Sequence, residues 1–216
     1  MRSGFRIGFL GRFATGFAGI MTLVYAAATP GAEGGAAAKA DPAAGRKIAS
    51  GVCVACHGAD GNSTIPANPI LAGQGADYIA AQLAAFKAGT RPSPIMQGMA
   101  APLSPDDMRN LGAWFESQKH MTMVARDKAL ALQGEQIWRG GVKATGVPAC
   151  AGCHGATGLG IPAQYPRISG QYSDLTYGWL KAFASNARPH PVMSPIASKM
   201  TDAQMKAVAE YAAGLR

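Results

Sequence analysis

At 216 residues, 48% hydrophobic and 15% charged, the chain is long enough for one ordinary domain or two small ones. Its formal charge of +8 includes Arg2, Arg6 and Arg12 at the extreme N-terminus; without them 17 basic residues face 12 acidic ones, a charge of +5. All four cysteines fall in two pentapeptides, which excludes a scaffold stapled by scattered disulfides.

In chain order, Met1–Ala28 places three arginines ahead of an apolar stretch, Phe13–Ala27, that ends in the small residues Ala26-Ala27-Ala28. This is the pattern of a cleaved export signal, too short and too rich in glycine and alanine for a membrane span. Residues 29–40, rich in Gly and Ala, read as a flexible lead-in. The pentapeptide Cys53-Val54-Ala55-Cys56-His57 follows, and Cys150-Ala151-Gly152-Cys153-His154 repeats it 97 positions later.

That offset superposes the second half on the first without a gap, pairing Pro69 with Pro166, Gly73-Gln74 with Gly170-Gln171, Arg91-Pro92 with Arg188-Pro189, Met96 with Met193 and Met108 with Met205. An internal duplication is the simplest cause. The expected organisation is a first module over 41–119, a linker over 120–126 and a second module over 127–216.

Each module reads as helices and loops without strand signals. A short helix (about Pro42–Ser50; about Asp127–Trp138) leads into the pentapeptide. A helix beginning near Asp77 or Asp174 carries an apolar stripe, Ile79, Leu83 and Phe86, answered by Leu180 and Phe183. A loop broken by prolines (Arg91–Pro94; Arg188–Pro191) comes next. A last helix opens on Ser104 or Thr201, with Asp107 or Gln204 three positions on as a capping box. Upstream of each pentapeptide a Gly-x-x-Ile recurs (Gly45–Ile48; Gly134–Ile137), but the second copy lies eight residues farther out, so the second module has an inserted loop around Gly140–Pro148. The fold class is all-α.

Each pentapeptide is a complete C-x-x-C-H haem-attachment sequence. Two thiols three positions apart on a helical turn reach the two vinyl groups of one porphyrin edge, and the next residue, histidine, reaches the iron from the same side. A zinc ribbon wants its two pairs roughly 15–20 residues apart, whereas 94 positions separate Cys56 from Cys150. A dithiol redox motif has no use for the histidine. The expected cofactors are two covalent haems c, held by Cys53 and Cys56 and by Cys150 and Cys153, with His57 and His154 as proximal ligands.

The sixth ligand decides whether the iron is an electron carrier or a reaction site. Two methionine pairs recur at one offset. Met108 and Met205 lie on the apolar stripe of the last helix and read as core; Met96 and Met193 lie in the proline-flanked loop, and are the expected distal ligands. His190, where the first module has Ser93, is the rival for the second iron, and His120 reads as a solvated linker residue. Pro69 and Pro166, each 12 residues after their histidine, are placed to offer it a backbone carbonyl. Arg91 and Arg188 are candidates for propionate contacts, and Trp114 and Tyr211 for packing near the haem or the first helix. No catalytic residue is expected.

Charge is lopsided. From Thr29 to Lys119 seven basic residues balance seven acidic ones, while from His120 onward ten face five. An exported haem protein rarely meets nucleic acid, so two readings stay open: a solvated lysine face, or a docking face for an acidic redox partner that includes Lys143, Lys181 and Lys199.

Paired C-x-x-C-H motifs, the segments Leu71-Ala72-Gly73-Gln74 and Ile168-Ser169-Gly170-Gln171, and the loops Met96–Ala100 and Met193–Ala197 together make the chain similar to the diheme cytochromes of the cytochrome c-4 family, over about Pro42–Arg216. The resemblance implies two class I cytochrome c domains related by a pseudo-twofold axis, with propionates near the interface and His/Met ligation at both irons. It implies a periplasmic carrier, soluble or loosely membrane-associated. Its partners would be a quinol-oxidising cytochrome complex, a dehydrogenase, and a terminal oxidase or similar acceptor. Ser194-Pro195 departs from the family's usual basic residue and glycine. A cytochrome subunit of a periplasmic dehydrogenase, such as a sulfide-oxidising flavocytochrome, has the same ligands; a diheme peroxidase needs an openable iron site, against which both loop methionines argue.

Overall fold

Gly45 and Gly134, the repeated glycines upstream of the pentapeptides, sit where helices cross. A Cβ on Gly45 would lie 2.0 Å from the carbonyl oxygen of Asn110, and one on Gly134 would lie 2.0 Å from that of Ala207. Asn110 and Ala207 are themselves 97 positions apart, so both modules are built around the same backbone-on-backbone contact, which only glycine permits. The computed structural model describes residues 39–216; the expected export signal, Met1–Ala28, and nearly all of the expected lead-in lie outside them.

The first module contains α1 (Pro42–Ile48), α2 (Val54–His57), α3 (Ala76–Lys87), α4 (Pro94–Ala100) and α5 (Pro105–Glu116); the second contains α6 (Lys128–Gly140), α7 (Ala151–His154), α8 (Ser173–Ala184), α9 (Met193–Ala197) and α10 (Asp202–Gly214). In each, the last helix packs on the first and on the middle one, α5 on α1 and α3, α10 on α6 and α8. Among the described residues there is no strand, only two isolated bridges, Val142 with Val147 and Ile161 with Tyr165.

Local chemistry sets the helix ends. Asp41 accepts from the Ala43 N–H ahead of Pro42 at the first turn, and Asp127 does the same for the Leu130 N–H. Both expected capping boxes form, Ser104 with Asp107 and Thr201 with Gln204. The last helix also ties down the first. Asn110 Oδ1 accepts the Asp41 N–H at 2.7 Å, and buried Glu210 accepts the N–H groups of Arg126 and Asp127.

The inserted loop separates the modules' connections to the pentapeptide. In the first, α1 runs through a π-helical turn, Ala49–Cys53, directly into α2. In the second, α6 stops at Gly141, whose Cβ would lie 2.3 Å from the Val147 carbonyl oxygen. The chain then makes a single 3-10 turn, Lys143–Thr145, before Cys150.

The second core gathers Ile137, Trp138, Leu180, Phe183, Met205 and Val208, with Met193 and Cys150 packed against it. The first is smaller, built on Ala49, Ile79, Leu111 and Phe115, with Cys53 against it. Met108 and Met205 are both buried, as expected of core methionines.

Candidate haem sites and the contact between modules

Both modules lie in one unit, Ala38–Arg216, and they meet through a reciprocal contact. Gln74 donates from Nε2 to the Arg167 carbonyl and accepts the Arg167 N–H at Oε1, each at 2.9 Å. Gln171 donates to the Ile70 carbonyl at 3.1 Å and accepts the Ile70 N–H at 3.2 Å. Ile70 and Arg167 are also 97 positions apart, so each copy's glutamine reads the same backbone position of the other, as a twofold relation requires. Each Oε1 also accepts the next N–H, of Gly75 or Tyr172, at 3.1 Å. Beside this contact Ile70, Ala72 and Tyr172 form a third buried cluster, covered by Met121 and Met123 of the linker.

His120 is part of that joint, not the solvated linker residue the sequence suggests. Its ring lies so close over Gly170 that a Cβ there would be 2.5 Å from Cε1. Burial and the Arg167 charge lower its pKa. The linker is pinned from the first module by Asn62, which donates to the Lys119 carbonyl and accepts the Met121 N–H.

Each pentapeptide histidine is 7% exposed. His57 Nδ1 is 2.9 Å from the Pro69 carbonyl oxygen, and His154 Nδ1 is 3.0 Å from that of Pro166. An Nδ1–H donating to a carbonyl fixes the ring and leaves Nε2 as the coordinating nitrogen. Burial lowers both pKa values, which favours the neutral form a ligand needs. The four cysteines are not joined as disulfides. Burial raises the Cys53 thiol and pushes Cys150 up to about 11, the opposite of the lowered pKa of a reactive dithiol.

Met96 and Met193 are half-buried, but their surroundings differ from the irregular loop expected. Each lies on a short helix, α4 or α9, because the prolines fall before its start or within its first turn, where a missing N–H is tolerated. His190 does not project freely. Its ring stacks edge-on against Phe183 at 5.7 Å between centroids, and its Nδ1 accepts from the N–H groups of Val192 and Met193.

Arg91 and Arg188 come together from opposite modules on one acceptor. Gln82 Oε1 lies 2.6 Å from Arg91 Nη1 and 3.2 Å from Arg188 Nη2. Each guanidinium also lies over a phenylalanine of its own module, Phe86 or Phe183, and near the ring of Trp179. Among the described residues no carboxylate pairs with either. Burial and the Arg188 charge bring Arg91 down to about 10. Sequence reading missed Gln82, Trp179 and Tyr78, which do not recur between modules; the recurring Gly-Gln pairs were the visible signal for the reciprocal contact.

Trp114 and Tyr211 pack towards the first helix of their modules, Trp114 under Arg46 and Tyr211 beside Trp138 at 6.1 Å. The indole N–H groups of Trp114 and Trp138 are buried and have no partner among the described residues. Of the three lysines expected on a docking face, Lys181 is engaged by Asp202 at 3.1 Å. Lys143 and Lys199 have no ion-pair partner among the described residues; Lys143 lies in the inserted loop, and Lys199 Nζ lies near Gly146 of the same loop.

Two equivalent helical pockets, each with a C-x-x-C-H turn and a carbonyl-anchored histidine, define a diheme c-type cytochrome. Uncompensated guanidinium groups and orphaned indole N–H donors fit the two acidic propionates that every haem carries. The Cytochrome c family profile matches residues 42–119 and again 131–215. The chain is 42% identical to cytochrome c4 of Thiocapsa roseopersicina, covering 87% of this chain and 99% of that protein. The crystal structure of reduced recombinant cytochrome c4 from Pseudomonas stutzeri superposes with a TM-score of 0.78 at 39% identity, over 82% of this chain and all of that one. A thiosulfate dehydrogenase electron acceptor of Stutzerimonas stutzeri is 34% identical over 79% of this chain and 82% of its own length. The chain belongs to the cytochrome c4 family: a tandem pair of cytochrome c domains carrying two covalently bound haems c, related to diheme electron-transfer proteins.

Proposed function

We propose that the protein is a periplasmic electron carrier, without catalytic residues of its own, that stores and passes two electrons. The observation that carries this reading is the pair of buried histidines, each anchored through Nδ1 to a proline carbonyl and each 39 residues before a half-buried methionine. The haem iron supplies one-electron exchange between its ferrous and ferric states. The chain's residues determine that it does nothing else.

Cys53 and Cys56 hold one haem by thioether bonds, and Cys150 and Cys153 the other. His57 with Met96 and His154 with Met193 would hold the two irons, leaving no position open to peroxide or oxygen. Pro69 and Pro166 orient the histidines and keep them basic. Arg91 and Arg188 hold propionates at the contact between modules, which places the charged edges of both cofactors where the domains touch. The domains run over 41–119 and 127–216, with 120–126 folded into their joint.

Membership of a family of electron-transfer proteins supports redox proteins as partners. The donor is a quinol-oxidising cytochrome complex or a dehydrogenase, and the acceptor a terminal oxidase or similar protein. The similarity to thiosulfate dehydrogenase electron acceptors favours a second reading on the donor side, in which a sulfur-compound dehydrogenase reduces this chain. The N-terminal sequence supports export to the periplasm, and among the described residues no helix is long and apolar enough to cross a membrane. Stopped-flow mixing of oxidised protein with a reduced dehydrogenase tests the reading: fast two-electron uptake per chain supports it, and peroxide turnover at either haem contradicts it.

A further inference from the structure

The position three residues before each loop methionine does the same work with different chemistry in the two modules. In the first, Ser93 is the N-cap of α4, and its hydroxyl accepts the Met96 N–H at 3.4 Å. In the second, the equivalent residue is His190, 97 positions on. Its Nδ1 accepts the Met193 N–H at 3.1 Å and the Val192 N–H at 3.2 Å, while its own N–H donates to Ser194 Oγ at 3.0 Å. The imidazole is therefore a capping acceptor, with its ring clamped edge-on by Phe183.

We propose that Ser93 and His190 are positioning residues for the distal methionines: each fixes the backbone of the residue that carries the thioether by accepting its N–H. This rests on the reading of Met96 and Met193 as iron ligands and goes beyond it, because it gives His190 a place that is not on the iron. A helix of five residues, Met193–Ala197, has little cooperative stability of its own, so the cap decides whether its first residue holds one conformation. The same logic explains why a histidine is tolerated beside the second haem without replacing its methionine. With Nδ1 accepting from two backbone donors, the neutral ring carries its proton on Nε2, so neither nitrogen has a free lone pair for iron.

The test compares His190→Ala, His190→Ser and Ser93→Ala in the full holoprotein. Exogenous imidazole is titrated against the ferric sulfur–iron band, and the two ligand-methionine methyl signals of the reduced protein are followed separately by NMR. A lost capping acceptor lets imidazole displace the thioether at about fivefold lower concentration. His190→Ala is expected to do this at the second haem alone, His190→Ser to restore the original value, and Ser93→Ala to act at the first haem alone. An unchanged titration in His190→Ala overturns the proposal. So does a His190→Ser variant as weak as His190→Ala, which would make the ring's packing on Phe183 the operative contact. Met193→Ala separates the two readings: if it keeps the full band, the ligand assignment fails and the positioning role with it.

Discussion

Replacing Gln171 by alanine removes one half of the reciprocal contact between modules and leaves the other half as an internal control. Gln171 is 7% exposed and Ile70, whose N–H and carbonyl it satisfies, is 3% exposed. A buried backbone group stripped of its partner costs about 1–3 kcal/mol, and Gln171→Ala strips two, with the Tyr172 N–H as a third. Water can enter only where the shortened side chain makes room, so the expected loss is about 2–4 kcal/mol. Gln74 makes the same bonds to Arg167 in a half-buried setting, where solvent replaces them more readily, and Gln74→Ala should cost about 1–2 kcal/mol. Guanidinium unfolding of the holoprotein, followed by far-UV circular dichroism and by the haem absorption together, reads both. A Gln171→Ala variant within about 0.5 kcal/mol of the parent, or a Gln74→Ala variant that is the more damaging, would refute the argument from burial.

Glycines at the helix crossings give a second contrast. Gly45→Ala or Gly134→Ala forces a methyl against a backbone carbonyl and should cost about 3 kcal/mol or prevent folding. Gly178→Ala, in α8 with nothing within 4 Å of its Cβ position, should instead stabilise by about 0.5–1 kcal/mol. Acid should act through Asp60, Asp107 and Asp202, which hydrogen bonds from Asn62, from Ser104 and from Tyr177 with Lys206 and Lys181 hold below the ordinary carboxylate pKa. Their folded pKa values are depressed, so their stabilisation is present above pH of about 4 and lost as the pH falls further. Thermal unfolding should therefore move down as the pH falls below about 4, by less in Asp202→Asn. Charge reversal at Lys143 and Lys199 should slow electron exchange with an acidic partner at low salt and lose its effect at high salt. Lys181→Glu should act more weakly than either, because Lys181 already faces Asp202.

The duplication made most of the fold readable. Capping boxes mark the helices that begin on Ser104 and Thr201, and the stripe Ile79, Leu83, Phe86 marks the core face of α3. The inserted loop before Cys150 followed from an eight-residue change in spacing. What escaped the pattern is what does not repeat. His120 belongs to the linker, which has one copy, so only the three-dimensional closeness of Gly170 shows that it is wedged and not solvated. Gln82 and Trp179 occupy equivalent positions with unlike side chains, and their shared role as a platform for two arginines depends on the pairing of modules. Recurrence marks the loop methionines, yet the flanking prolines suggest an irregular loop around them. In the structure Pro94 opens α4, and Pro191 lies before α9 with Pro195 in its first turn, where proline breaks no hydrogen bond.

Ligation is the hinge of the account, and a spectroelectrochemical titration of the full holoprotein measures it most directly. Two electrons per chain are expected, with a ferric sulfur–iron band that loses half its intensity in Met96→Ala, half in Met193→Ala and all of it in the double variant. Carbon monoxide should bind the parent protein at neither iron. A band that survives either substitution, or ready carbon monoxide uptake at one haem of the unaltered protein, would contradict it.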